Sequence, residues 1–434
     1  MSSHFDQSRR RFMLTGISLA AFGGLAISKP NDIGKDHNPY FQGLSQALDA
    51  KQISKPSLIL DKATLIENIK VLKEHLQGRF DYRIVAKSLP SIALLQFVMA
   101  KANTQKLMIF HQPFLNQVAI ELPESDVLMG KPMPVNAAGN FYRVLKEQQI
   151  QSNTHFNPQQ QLQWLIDSPE RLAQYQALAH TLNTKMRINI ELDIGFHRGG
   201  VADDLIFKKM LNTIETDPLL SFSGLMGYEP HVAKVPGRKL ALRDASMQAY
   251  KDKLAIALKV SGKQPHELTL NSAGSPTYQF YDQGDYPHNE IAAGSCLVKP
   301  SDFDLESLAD HKAAAFVATP VLKVMQETQI PGVDGLAKLM SLWNPNRSKT
   351  FYTYGGNWKA DPVSPQGLSI NPVWGHSTNQ EMLNGSETIQ LKADDWIFLR
   401  PRQSEFVFLQ FGDIALYDKH QIHELWPVFT EQPS

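Results

Sequence analysis

The apolar, strand-like stretch "YRIVAKS" ends in a lysine, Lys87. An ammonium is costly to desolvate, so a lysine at the end of an apolar run either keeps its head in water or has a chemical task. Four later stretches place reactive or anion-binding residue types in comparable positions. "ELDIGFHRGGV" leads into Asp193, His197 and Arg198, and "GYEPHV" supplies Tyr228 and His231. "NSAGSPTY" supplies Ser272, Gly274, Ser275 and Thr277, and "AAGSC" supplies Gly294 and Ser295. Taken singly, these read as an ordinary turn, a packed histidine or a salt bridge between Asp193 and Arg198. Together they offer an amine for covalent catalysis, cationic and titratable neighbours, and two Gly/Ser loops able to hold a phosphate through backbone N–H groups and hydroxyls.

Such residues act together only if one end of a fold collects them. Eight apolar runs read as strands, at 82–87, 106–110, 126–130, 161–166, 186–193, 222–227, 267–271 and 291–298. Helix-like segments separate them. In "SPERLAQYQALAHTLN", Ser168 is placed to cap, Pro169 takes the first helical position and Glu170 sits in the first turn. Residues 240–260 form another long helical segment. Strands alternating with helices predict an α/β fold, a closed (β/α)8 TIM barrel over residues 50–310, with an open doubly wound sheet as the alternative. In a barrel the C-terminal strand ends share one rim, and every residue singled out above then falls on it or just beyond. Past residue 311 the pattern changes. Runs such as "KTFYTYG", "DDWIFL" and "EFVFLQFGDIALYD" follow one another without helices between them, which predicts a C-terminal β-domain over 311–434.

The 43 basic and 43 acidic residues cancel, so no electrostatic argument points to nucleic acid or to an anionic membrane. A small-molecule partner is expected instead. The single cysteine, Cys296, excludes an intramolecular disulfide and a thiolate metal cluster. The N-terminus reads "SRRRFML" and then a short, Gly-containing apolar segment with small residues at 26–28. The paired Arg9 and Arg10 before Phe12 resemble a twin-arginine signal over residues 1–30, which implies export of the folded protein to the periplasm through that machinery and no stable membrane anchoring.

The set "YRIVAKS", "ELDIGFHRGGV", "GYEPH", "NSAGSPTY" and "EIAAGS", in this order and spacing, resembles the fold-type III pyridoxal-phosphate enzymes. These share the alanine racemase N-terminal domain, and the similarity is strongest to their D-threonine aldolase and D-serine dehydratase branch. The resemblance implies pyridoxal 5'-phosphate as cofactor and Lys87 as the residue that binds it as a Schiff base. Arg198 and His231 match catalytic positions beside it. Tyr228, Ser272, Gly274, Ser275, Gly294 and Ser295 match the cofactor-binding positions. The segment "GGNWKADP" resembles one that reaches a partner subunit's site, so the resemblance further implies a homodimer. The activity implied is a lyase reaction on D-amino acids, D-3-hydroxy amino acids in particular, by retro-aldol cleavage or β-elimination. A periplasmic racemase and a cofactor-binding protein without turnover are the alternatives.

Two departures from the family pattern bear on that choice. The branch holds a metal through His and Cys or Asp, yet "PRQSE" puts Gln403 and Glu405 in those places, and "TNQEML" puts Glu381 where the other His would be. Zn2+ sites draw on N and S ligands, so zinc is not expected here. Glu381 and Glu405 suit a hard cation such as Mg2+ or Mn2+, or serve as acid/base groups without metal. Second, racemases of the family carry Arg-x-Gly after the last strand, where this chain has Ala292, Ala293 and Gly294. The missing arginine counts against alanine racemisation.

Overall fold

The structure is a computed structural model that describes residues 29–152, 154–328, 341–372 and 375–431. The expected export signal lies outside the described residues, save for its last two positions. Two compact units make up the chain: one comprises Met1–Pro56 with Ala318–Leu399, the other Ser57–Val317 with Arg400–Ser434.

The larger unit begins with strand β1 (Ser57–Asp61) and continues into eight parallel strands that close on themselves. These are β2 (Asp81–Val85), β3 (Lys106–Ile109), β4 (Asp126–Met129), β5 (Leu162–Ile166), β6 (Met186–Leu192), β7 (Leu220–Gly227), β8 (Thr269–Ser272) and β9 (Glu290–Ala293). Each pairs with the next, and β9 closes on β2 through Asp81↔Glu290 and Ile84↔Ala293. All eight expected runs are present, and the barrel is closed, not an open sheet. The runs could be read because strands covered on both faces are near-continuously apolar; every residue of β5 is buried. The helices between them obey local rules. Ser168 accepts a hydrogen bond from the Arg171 N–H and starts helix Pro169–Leu182, which Asn183 ends in a left-handed conformation. Helix Lys239–Ser261 ends at Gly262 in the same way.

Two boundaries differ from the sequence reading, and both matter to the site. Strand β2 stops at Val85, so Lys87 rides on a tight turn, Ala86–Ser88, and not on the strand itself. Strand β9 stops at Ala293, and Ser295–Val298 is a helical turn. The apolar residues of that turn mimic a longer strand because both are buried.

Inward-facing residues at the start of the strands form a closed polar floor. Arg83, fully buried, pairs with Glu290 at 2.6 and 2.9 Å and with Asp126 at 2.8 Å. Lys106 bridges Asp81 and Glu290 at 2.7 and 3.0 Å, and Asn271 donates to Glu290 at 2.9 Å. Burial alone would raise the Glu290 carboxyl; Arg83 and Lys106 outweigh it and hold it below the usual carboxylate range.

The chain's last segment belongs to this same unit. Strand β16 (Asp413–Asp418) lies parallel to β1, with Leu58↔Ile414 and Asp61↔Tyr417 in register, and β17 (Gln421–Pro427) pairs antiparallel to β16. The division expected at residue 311 is therefore not the one observed: the barrel unit keeps residues 400–434, because β1 forms a ladder with a strand from the far end of the chain.

The smaller unit opens with helix Pro39–Ala50, capped by the Asn38 side chain on the Phe41 N–H. Its strands are those of β10 (Ala315–Met325), β11 (Lys349–Thr353), β12 (Ala360–Ser364), β13 (Ser369–Ile370), β14 (Met382–Gly385) and β15 (Trp396–Pro401). Antiparallel pairing runs from β10 through β11 and β14 to β13, while β15 pairs with β10 and β12. No helix among the described residues is long and apolar enough to cross a membrane.

Candidate active site at the mouth of the barrel

Beyond the C-terminal strand ends lies a cavity of about 490 Å3, a size that holds a small cofactor or substrate. Its wall takes one residue from just past each strand: Lys87, Phe110, Gly130, Asp167, Arg198, Tyr228, Ala273 and Gly294. Lys87 Nζ stands 3.6 Å from Glu405 Oε1 and 4.6 Å from the centroid of the Phe110 ring. Its side chain is 41% exposed, so it is an accessible amine and not a core residue.

The two Gly/Ser loops meet beside it. Ser275 Oγ accepts the N–H groups of Gly294 and Cys296, both at 3.1 Å, which ties the loop after β8 to the loop after β9. Ser295 Oγ and Ser88 Oγ share a hydrogen bond at 2.9 Å, which ties the second loop to the Lys87 turn. Both glycines are required by close approach. A Cβ on Gly294 would sit 2.7 Å from the Val85 carbonyl oxygen, and one on Gly274 would sit 2.7 Å from the Tyr228 ring. Ser272 is placed differently from expectation. Its hydroxyl points away from the cavity and donates to Glu229 Oε2 at 3.1 Å, so it supports the loop from behind.

Arg198 lines the cavity, its guanidinium 5.2 Å from the Phe196 ring and 5.1 Å from the Tyr228 ring. Burial pushes the Tyr228 hydroxyl up to about 12, with Glu229 and Glu405 adding to the rise and Arg198 opposing it. Asp193 and Arg198 do not form the salt bridge that is their ordinary alternative reading; Asp193 closes a local turn instead. Asp193 accepts the N–H groups of Gly195 and His197 and pairs with His197 Nδ1 at 2.8 Å. Burial would raise the Asp193 carboxyl, but these bonds hold it below its ordinary value. His231 is a correction: among the described residues it does not line the cavity. It follows Pro230 at the first position of a helical turn and stacks on Phe196 at 6.1 Å, so it buttresses the Phe196–Tyr228 wall. Burial, with His197 nearby, lowers its imidazole below the usual value.

The three residues in the places of the metal ligands are divided between the two units, and each has partners of its own. Glu381 belongs to the smaller unit, where its carboxylate accepts from His376 Nδ1 and from the Asn357 N–H, each at 2.6 Å, and so anchors the "GGNW" turn. Gln403 donates to Asp302 at 3.2 Å, and Glu405 faces Lys87. Among the described residues no group of three His, Cys, Asp or Glu side chains forms a metal site.

Four ionisable lining or supporting residues escaped the sequence reading. Lys131, Asp167 and Glu191 line the cavity, and Glu229 lies fully buried under the loop after β8. Burial raises the Glu191 carboxyl, with Arg198 opposing and Asp167 and Asp193 reinforcing the rise. Position just past a strand, the signal that singled out Lys87 and Arg198, would have found Asp167 and Lys131 too. Glu191 and Glu229 sit inside stretches already quoted, flanked by residues that drew more notice.

The donor set fits the cofactor expected from the sequence. An accessible amine, two mutually tied Gly/Ser loops with hydroxyls at Ser88, Ser275 and Ser295, and the aromatic faces of Phe110 and Tyr228 surround one cavity. Ala292 lines it as well, with no charge to offer a ring nitrogen.

Comparison with known proteins agrees with this architecture. A 3-hydroxy-D-aspartate aldolase of Paracoccus denitrificans (strain Pd 1222) is 25% identical over 141 residues, a match that spans 32% of this chain and 35% of the aldolase. A D-threonine aldolase from Filomicrobium marinum superposes with a TM-score of 0.66 at 16% identity, covering 87% of this chain and 95% of the aldolase. A D-threo-3-hydroxyaspartate dehydratase from Delftia sp. HT23 superposes with a TM-score of 0.67 at 12% identity, covering 88% and 98%. Residues 60–302, more than half of the chain, match the alanine racemase N-terminal domain. A closed barrel whose first strand hands an exposed lysine to two Gly/Ser loops is thus accounted for by descent: the chain belongs to the alanine racemase N-terminal domain family.

Proposed function

We propose that this protein is a pyridoxal-phosphate-dependent lyase that acts on D-3-hydroxy amino acids, by retro-aldol cleavage or by β-elimination. The observation that carries the reading is the placement of Lys87 Nζ in one cavity with both Gly/Ser loops and 3.6 Å from Glu405. The names of the three similar proteins, each an aldolase or dehydratase of a D-3-hydroxy amino acid, supply the substrate class and its stereochemistry. Bound, the cofactor supplies the electron sink for the bond broken at the substrate's α-carbon.

The chain's own residues supply the rest. Lys87 anchors the cofactor and then takes or returns a proton through Nζ on its side of the substrate. Glu405 Oε1 exchanges that proton with Nζ. In cleavage it receives the proton leaving the substrate's hydroxyl as the aldehyde forms, and in elimination it returns a proton to the departing hydroxyl so that water leaves, a task in which a carboxylate stands in for a metal. Arg198 and Lys131 offer cations to the substrate carboxylate. With Ala292 in the place of the racemases' arginine, this chain would offer no cation there to a bound cofactor's ring nitrogen, which counts against alanine racemisation.

The protein is further proposed to work as a homodimer in the periplasm, after export as a folded, cofactor-loaded chain. The paired Arg9 and Arg10 support the route. Cell fractionation with Arg9→Lys/Arg10→Lys would retain the protein in the cytoplasm if the route is right.

Incubating the purified protein with single L- and D-amino acids, with and without Mn2+ and with a chelator, decides the reaction. Aldehyde or ammonia from D-3-hydroxy amino acids supports the lyase, the antipode alone makes it a racemase, and loss of turnover on chelation restores a metal. A protein that carries no pyridoxal phosphate, and whose Lys87 takes no label on borohydride reduction, refutes the whole reading.

A further inference from the structure

Glu229 does not line the cavity, yet its carboxylate accepts three hydrogen bonds from a loop that does. It is fully buried just past β7, between Tyr228 and Pro230. Oε1 accepts the Thr277 hydroxyl at 2.8 Å; Oε2 accepts the Ser272 hydroxyl at 3.1 Å and the Ala273 N–H at 3.3 Å. Thr277 Oγ in turn accepts the Gly274 N–H at 3.1 Å. Every one of these donors belongs to the loop at residues 272–277, whose other side faces the cavity.

One residue of that loop is out of its natural conformation. Ala273 has φ +63, a left-handed value that an alanine adopts at a cost and keeps only when its surroundings dictate it. The bond from the Ala273 N–H to Glu229 Oε2 is the surrounding that does so. Downstream, Ser275 carries the constraint to the second loop through the Gly294 and Cys296 N–H groups.

We infer that Glu229 is a positioning residue which, by holding Ala273 left-handed, sets the two Gly/Ser loops for the phosphate of the bound cofactor. The inference rests on the pyridoxal-phosphate reading above. It differs from a general stabilising role in one respect: its effect falls on the phosphate end of the ligand and not on the aldehyde end, which Lys87 takes. Oε1 and Oε2 each accept from the loop, so the single oxygen of an amide cannot replace both.

The test titrates the full-length protein, freed of cofactor, with pyridoxal phosphate and in parallel with pyridoxal, which lacks the phosphate. In Glu229→Gln, pyridoxal phosphate should bind about tenfold to a hundredfold more weakly than in the parent, while pyridoxal binds within about twofold. Adding Ala273→Gly, which removes the left-handed penalty, should recover part of the loss. Thr277→Val, a milder change that keeps the carboxylate, should show the same split at reduced size and serves if Glu229→Gln does not fold. Equal weakening of both ligands, or no weakening of either, overturns the inference while leaving the cofactor reading standing. A parent protein that binds neither ligand overturns both.

Discussion

At the floor of the barrel, Arg83, Lys106, Asp126 and Glu290 close on one another; at the mouth, Lys87, Lys131, Arg198, Asp167, Glu191 and Glu405 surround an open cavity. The barrel strands carry the floor on their first residues and on Arg83 within β2. The mouth takes Lys87, Lys131, Asp167, Glu191 and Arg198 from near or past the strand ends and Glu405 from the returning C-terminal segment. The floor pairs every charge at hydrogen-bond distance and turns none of them to solvent work. At the mouth the central pair stays 3.6 Å apart, with side chains 41% and 29% exposed. Charge at the floor specifies which strands meet, since a mispaired guanidinium there would be buried without a partner. Charge at the mouth is left incompletely satisfied, which is what a ligand can complete.

The contrast is breakable at four places. Lys87→Ala should lower turnover by about 10^4-fold or more while leaving unfolding unchanged within about 1 kcal/mol, read by steady-state kinetics and thermal melts. Unaltered turnover would remove Lys87 from the chemistry. At the opposite end, Arg83→Met takes away the two-bond partner of the buried Glu290, leaving it Lys106 and Asn271, and should cost about 3–5 kcal/mol of stability in urea unfolding. A double change of Arg83 and Glu290 to apolar residues should recover much of that, since no lone charge remains buried.

Glu405→Gln comes next, with turnover down about a hundredfold and stability altered by less than about 1 kcal/mol, because the pair with Lys87 is half-exposed and screened. A stability loss as large as that of Arg83→Met would make Glu405 structural.

The smallest effect is one of pH, and its sign differs between the two ends. Glu290 is held low in the fold, so its contribution is present above the unfolded carboxylate value and is lost only as pH falls through the lower folded value. Glu191 is held high, so it favours the fold while protonated and works against it as pH rises through its folded value. Glu191→Gln should therefore raise stability at neutral pH by about 0.5–1 kcal/mol and have no such benefit at pH 4. A gain that is the same at both pH values would show that the carboxyl does not titrate in that window.

Much of this was legible in the residues. Strands buried on both faces read as apolar runs, so all eight barrel strands could be placed, and with them the rim that carries Lys87, Arg198, Tyr228, Gly274, Ser275, Gly294 and Ser295. Strand ends were less legible: the Ala86–Ser88 turn and the helical turn after Gly294 are buried, and burial hides the change from extended to helical. His231 and Ser272 were placed at the right ends of the right strands, but on the far side of the wall. Ser272, which faces Glu229, and Ala273, which faces the cavity, are neighbours in the chain, and the left-handed backbone at Ala273, just past the end of β8, falls between the two directions.

By itself, then, the sequence determined the barrel, its lysine and its glycine loops, since each depends on residue type or on a period within one segment. Only the tertiary structure decided that residues 400–434 return to the barrel, that Glu405 faces Lys87, that Glu381 is spent on a turn, and that Glu229 grips the loop at 272–277. Those are contacts between segments far apart in the chain or side-chain directions within one, and both are set by packing, which no local pattern encodes.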